Sequence, residues 1–409
     1  MLRIAPFAAL RPQPSQAARV ASVPYDVVNS AEARRLAEGN PVSFLHVVKP
    51  EIDLPEGTDL YDDAVYAKAA ENLRKFIDDG TLVREEKPAL YLYRQVMDHR
   101  AQIGLVACCH IDDYANDLIK KHEKTRREKE DDRTRHVKTL NANTGPVFLT
   151  YRDRVAIDQL VEEDTNARPL YHFDAPDGVT HTVWVVSDPR RYVEAFGEVP
   201  CAYVADGHHR SASAARAGAE KREANPNHTG DEEYNWFLAV LFPAGQLNIL
   251  PYNRLVHDLN GQTAEQVLDR LREVGSRRET DDPDPEKPGV FCFYLAGRWH
   301  RLELDPATID KSDPIETLDV SLLQNRVLEP IFDIDDPRTS DRIDFVGGIR
   351  GTGELARRVD SGEAAVGISI HATTIDQLLS VADAGLVMPP KSTWFEPKLR
   401  SGLFVHTLD

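Results

Sequence analysis

Residues 199–222, VPCAYVADGHHRSASAARAGAEKR, read as a strand, a sharp turn and a helix. The apolar run through Ala205 has the composition of a buried strand, and the small residues from Ser211 onward are compatible with a helix. Gly207 permits the abrupt change of direction between them, and Asp206 is placed to cap the helix start. Just upstream, VTHTVWVVSD (179–188) is β-branched and aromatic, and RRYVEAFGE (190–198) is a short helical stretch. Strand, helix, strand and helix in succession predict a mixed α/β (α+β) architecture.

Working outward, AEARRLAEG (31–39) and DAVYAKAAENLRKFIDDG (63–80) place apolar residues at helical spacing and stop at Gly39 and Gly80. PALYLYRQVM and AQIGLVACCHI flank Asp98-His99 and predict a strand pair. Residues 112–138 carry so many charges of both signs that they read as an exposed arm, either a solvated helix or a loop. VFCFYLAGRWHRLEL (290–304) predicts a hairpin turning at Ala296-Gly297. SLLQNRVLEPIF (321–332) predicts a helix ended by Pro330, and RIDFVGGIRGTGE (342–354) a strand, glycine turn and helix. The proline-laden acidic stretch DDPDPEKPG (281–289) is the best linker candidate. The expected division is 1–170, 171–280 and 281–409, three mixed α/β segments with the 199–222 turn in the middle one.

The 409 residues carry 49 Lys plus Arg against 67 Asp plus Glu, a formal charge of −18, which opposes general adhesion to nucleic acid or anionic membrane. No apolar run approaches the roughly 18 residues of a spanning helix, and the proline-interrupted start does not read as a signal peptide. A cytoplasmic protein is expected, with no membrane or nucleic-acid partner and with room for oligomerisation. The four cysteines have no C-x-x-C spacing, as expected of reduced thiols rather than a disulfide or zinc framework.

Three motifs carry chemistry. Asp206-Gly207-His208-His209-Arg210 puts a helix N-terminus, a glycine that lets backbone approach closely and a bidentate cation at one turn, an arrangement suited to an anion. Asp206 is a candidate ligand for magnesium or a substrate hydroxyl, and the histidines are candidate donors. A cap with histidines satisfying turn carbonyls is an equally weighted reading. In Lys120-Lys121-His122-Glu123-Lys124-Thr125, zinc-protease spacing fails because Arg126 stands where the second histidine belongs. Glu123 among these cations reads as a base or, by charge pattern alone, more readily as part of a salt-bridge array. The tail MPPKSTWFEPKLR (388–400) collects Lys391, Ser392, Thr393, Lys398 and Arg400 around Trp394, more polar chemistry than a packing strap requires. Pro24-Tyr25-Asp26 reads first as a strand end. No Walker, Rossmann, nucleophile-elbow or protein-kinase motif is present.

Taken together, Val23-Pro24-Tyr25-Asp26-Val27-Val28, Ser43-Phe44-Leu45-His46-Val47, KHEKTRREKEDDR, YVADGHHR, Tyr252-Asn253-Arg254 and MPPKSTWFEPKLRSGLF resemble a widespread prokaryotic family whose domain has no assigned function. More narrowly, ADGHHR and its small-residue helix, within roughly residues 179–220, resemble the phosphate-binding turn of the ParB and sulfiredoxin-like fold. Members of that fold include free serine kinases, which phosphorylate L-serine with ADP or ATP. The resemblance implies a ParB/sulfiredoxin-like central unit and a phosphotransferase. Gly207, His209 and Arg210, with Lys391, Ser392, Thr393 and Lys398, would bind phosphate or nucleotide. Asp206, His208, His209 and Glu123 would be catalytic, with Glu123 as base, and Mg2+ would sit at Asp206. A ParB-like nucleotide switch and a nucleotide or phosphate hydrolase without an amino-acid acceptor are the alternatives.

Overall fold

The computed structural model describes residues 1–409 as a mixed α/β protein in two compact units, one made of Met1–Leu247 and Pro397–Asp409, the other of Asn248–Glu396. The unit boundaries do not coincide with divisions near 170 and 280. The acidic stretch 281–289 lies inside the second unit, where Glu286 pairs with Arg301 at 2.5 Å.

The first unit is built on a nine-stranded sheet. Its strands run in the order Ile119–Lys120, Ala202–Asp206, Val147–Tyr151, Trp236–Pro243, Arg100–His110, Tyr91–Met97, Thr180–Val185 and Tyr171–Asp174, with Ile4–Ala5 added along Arg100–His110. Ala202–Asp206 runs parallel to Ile119–Lys120, and Trp236–Pro243 parallel to Val147–Tyr151; the other pairs are antiparallel, so the sheet is mixed. The predicted hairpin turns at Asp98 and His99, both at positive φ. One core lies along the sheet through Leu105, Leu149, Val204, Phe237 and Leu241. A second gathers Phe44, Val47, Leu73 and Phe76 with Val405.

The helices at 31–39 and 63–80 form at Ser30–Ala37 and Asp63–Asp78, with Gly39 and Gly80 at positive φ just beyond. The charged stretch is not an exposed arm. Arg127–Leu140 is a helix that buries Asp132, Thr134, His136, Val137 and Leu140. Its charges are used between helices. Asp132 accepts from Tyr66 Oη at 2.8 Å, Arg216 meets Asp131 at 2.5 Å, and Lys138 meets Glu220 at 2.5 Å. Charge density alone does not distinguish a solvated face from one whose ions find partners on neighbouring helices.

The second unit carries a six-stranded antiparallel sheet in the order Ser276–Glu279, Arg298–Glu303, Val290–Leu295, Val366–Ile370, Tyr252–Val256 and Ile343–Gly347. The hairpin at Ala296-Gly297 and the strand–turn–helix from 342 form as expected. Pro330 does not end its helix. A π-helical turn at Gln324–Leu328 precedes it, and the chain stays helical to Phe332 before Asp333 turns left-handed at φ 57°. The wider turn accommodates a residue that lacks an N–H and crowds the preceding turn.

Candidate functional site

The strand–turn–helix forms as Ala202–Asp206, Gly207 and His208–Ala224. Two local features aim the turn. The pairing of Ala202–Asp206 with Val147–Tyr151 shifts register between Val204 and Asp206, a bulge that redirects the strand's last side chains. Gly207 then sits at φ 91°, ψ 36°, the left-handed region where glycine is cheap. Asp206 does not cap the helix: Gly207 occupies the cap position, with no side-chain cap bond. The small residues of the helix serve close approach. A Cβ on Gly218 would lie 2.2 Å from the Tyr234 carbonyl oxygen.

Asp206 instead bridges two cations. Oδ1 accepts from Lys398 Nζ at 3.0 Å and Oδ2 from Arg210 Nη2 at 2.7 Å. Burial by itself would raise its pKa, but Lys398 and Arg210 outweigh that and hold the carboxyl well below the usual range. Arg210 also donates to the Pro146 carbonyl and stands 3.6 Å from Asp26 Oδ2. Burial opposes its charge, and Asp26 and Asp206 more than restore it. Its Nε is buried without a hydrogen-bond partner and lies beneath Gly207, where an added Cβ would be 3.0 Å away. Beside this turn a cavity of about 30 Å³, room for a water or two, is lined by residues including Tyr25, Arg133, Gly145, Arg210 and Ser401.

On the other side of the helix start, His208 Nδ1 lies 3.7 Å from Glu123 Oε2, and the His122 and His208 rings meet edge to face at 4.5 Å. Burial lowers the pKa of both histidines, that of His122 to about 4. His209 Nε2 accepts from the Arg126 N–H at 3.1 Å, so it acts as a neutral acceptor there; burial and then Arg126 lower its pKa.

Asp206, Gly207, His208, His209, Arg210, Glu123 and Lys398 are therefore gathered in the first unit. Lys391, Ser392 and Thr393 belong to the second. There Lys391 Nζ lies 5.2 Å from the Tyr252 ring centroid, Ser392 Oγ donates to the Pro389 carbonyl at 2.6 Å, and the Ser392 carbonyl accepts from Thr373 Oγ1 at 2.7 Å. Trp394 packs beneath Gly347 and against Tyr252.

Sequence reasoning missed Asp26, ranked as a strand end, and Arg133, whose guanidinium stacks on Tyr25 at 4.3 Å. The available signal was Pro24-Tyr25-Asp26 itself, an acid following a rigid residue and an aromatic.

Among solved structures, free serine kinase in complex with AMP is 13% identical, aligned over 74% of this chain and 91% of that one with a TM-score of 0.36. SbnI with a C-terminal truncation, from Staphylococcus aureus, is 11% identical over 74% and 87%, with a TM-score of 0.39. A conserved hypothetical protein from Pyrococcus furiosus is 14% identical over 74% and 95%, with a TM-score of 0.35. No curated protein sequence matches the chain. The family described as protein of unknown function (DUF1015) matches residues 4–321, and the chain belongs to that family.

Proposed function

We propose that the chain transfers a phosphoryl group from ATP or ADP to the hydroxyl of free L-serine, giving O-phospho-L-serine, in a ParB/sulfiredoxin-like unit. The observation that carries this reading is the buried Arg210, held under a helix N-terminus with one N–H donor unmatched and with Lys398 across Asp206. Phosphoryl transfer needs positioning and charge neutralisation more than covalent chemistry. A phosphate at Gly207–His209 would receive the free N–H groups of the first helical turn, Arg210 and Lys398. Asp206 keeps the two cations in place.

Magnesium fits poorly as a direct ligand of Asp206, because each carboxylate oxygen already faces a cation. It would arrive on the nucleotide's phosphates, where it neutralises charge. Of the two other carboxylates at the turn, Asp26 lies on the Arg210 side and Glu123 on the His208 side. The serine proton is therefore assigned to Asp26 rather than Glu123. The serine oxygen attacks the terminal phosphorus, Asp26 takes its proton, and the bond to the departing nucleotide breaks. His208 and His209 shape the turn as neutral side chains.

The test incubates purified protein with Mg2+, ATP or ADP, and each hydroxylated amino acid, following products by phosphorus NMR and mass spectrometry. Phosphoserine that disappears in Arg210→Ala is the expected result. Phosphate release without an amino acid would replace the kinase with a hydrolase, and tight nucleotide binding with no product would replace it with a switch.

A further inference from the structure

We propose that His122, Glu123 and His208 bind a divalent transition-metal ion of the zinc class. One ring nitrogen from each histidine and one oxygen of Glu123 lie within 4.8 Å of one another. The 3.7 Å between His208 Nδ1 and Glu123 Oε2 is close to the roughly 3.3 Å separating two ligands of a tetrahedral zinc ion at ordinary bond lengths, so small side-chain rotations complete the site.

The second observation is the state of the imidazoles. His122 is 1% exposed and His208 6% exposed. Nε2 of His208 meets no hydrogen-bond partner, and His122 makes no well-formed hydrogen bond, the Val204 carbonyl lying near its ring. Two buried rings packed edge to face with polar atoms unsatisfied are costly in a resting protein. A metal ion uses these lone pairs. Asp206 lies near enough to both rings to supply negative charge behind the ligands. Glu123, about half exposed, provides a route of entry.

The donor set selects the metal. Two imidazoles and one carboxylate suit zinc, cobalt, nickel or iron, whereas magnesium and calcium require oxygen. Three protein ligands leave a coordination position for water or a substrate oxygen. The spacing rule that excluded zinc at His122-Glu123 assumes that the second histidine lies four residues further on; here it comes from the start of the helix His208–Ala224.

The experiment strips the full-length protein with a chelator and titrates it with Zn2+, following binding by calorimetry, and then with Co2+, following the visible absorption of the bound ion. One Zn2+ per chain, unaffected by excess Mg2+, is expected, with tetrahedral-type Co2+ absorption. Glu123→Gln, on a half-exposed side chain, and His122→Ala should each weaken binding by about 100-fold or more while circular dichroism stays unchanged. Should His122→Ala misfold, Glu123→Gln and the wild-type Co2+ spectrum decide. Absence of stoichiometric Zn2+ binding, octahedral all-oxygen Co2+ absorption, or affinity unchanged in Glu123→Gln would overturn the site.

Discussion

The start of the helix His208–Ala224 has two unlike sides. On one, Arg210 has its Nη groups engaged by Asp206 and the Pro146 carbonyl, yet its Nε is a buried donor without an acceptor. On the other, His122 and His208 present neutral imidazoles without well-formed bonds. An unmatched donor on a cation calls for an anion, whereas unmatched lone pairs call for a cation. One turn of backbone thus separates a phosphate cradle from a metal cluster, with Asp206 contributing to both: it fixes Arg210 and Lys398, and its charge reaches both histidines.

The largest expected effect breaks the anion side. Arg210→Ala should reduce phosphoserine formation by about 1,000-fold or more, the scale of a lost arginine at a transferring phosphate, while Zn2+ affinity stays within a few-fold of wild type. Equal loss of both in isothermal titrations and turnover assays would show that the two sides are a single site. Next, Asp26→Asn should lower kcat by about 100-fold or more with little change in nucleotide KM, as for a removed general base. Glu123→Gln should reduce turnover less; the reverse order in steady-state kinetics would return the base to Glu123. Lys398→Met should raise nucleotide KM roughly tenfold, comparable to one charge-assisted hydrogen bond.

What the sequence made legible was local. The strand–turn–helix at 199–222, the hairpins at Asp98-His99 and Ala296-Gly297, and the helices ending at Gly39 and Gly80 are written in neighbouring residues. Other features depend on distant partners. The Val204/Asp206 bulge exists only against Val147–Tyr151, Asp26 reaches Arg210 from a loop far upstream, and of the two metal-competent histidines one lies in a connecting segment and the other begins the helix His208–Ala224. The charge of Arg127–Leu140 concealed a packed helix because its ions are matched by side chains that periodicity does not reveal. In the tail motif Lys398 meets Asp206, while Lys391, Ser392 and Thr393 belong to the second unit, a division at Pro397 that no local pattern marks.

His136 gives the comparison a control, a buried histidine of the same unit whose Nε2 does have a partner, the Val47 carbonyl at 3.1 Å. Burial, and then Arg133, lower its pKa from 6.5 to about 3. The folded protein thus keeps this ring neutral where the unfolded chain would protonate it. Its contribution to stability is complete above pH 6.5 and declines as pH falls from there toward 3, by on the order of 3–5 kcal/mol across the whole window. His136→Phe should flatten that part of the stability–pH curve in denaturant titrations. It should also cost about 1 kcal/mol at neutral pH, because the Val47 carbonyl loses its donor. Zn2+ affinity should be unchanged, since His136 is not among the three residues whose ligand atoms converge, His122, Glu123 and His208. If His136→Phe weakened Zn2+ binding as much as His122→Ala, the unsatisfied nitrogens of His122 and His208 would no longer distinguish ligands from packing.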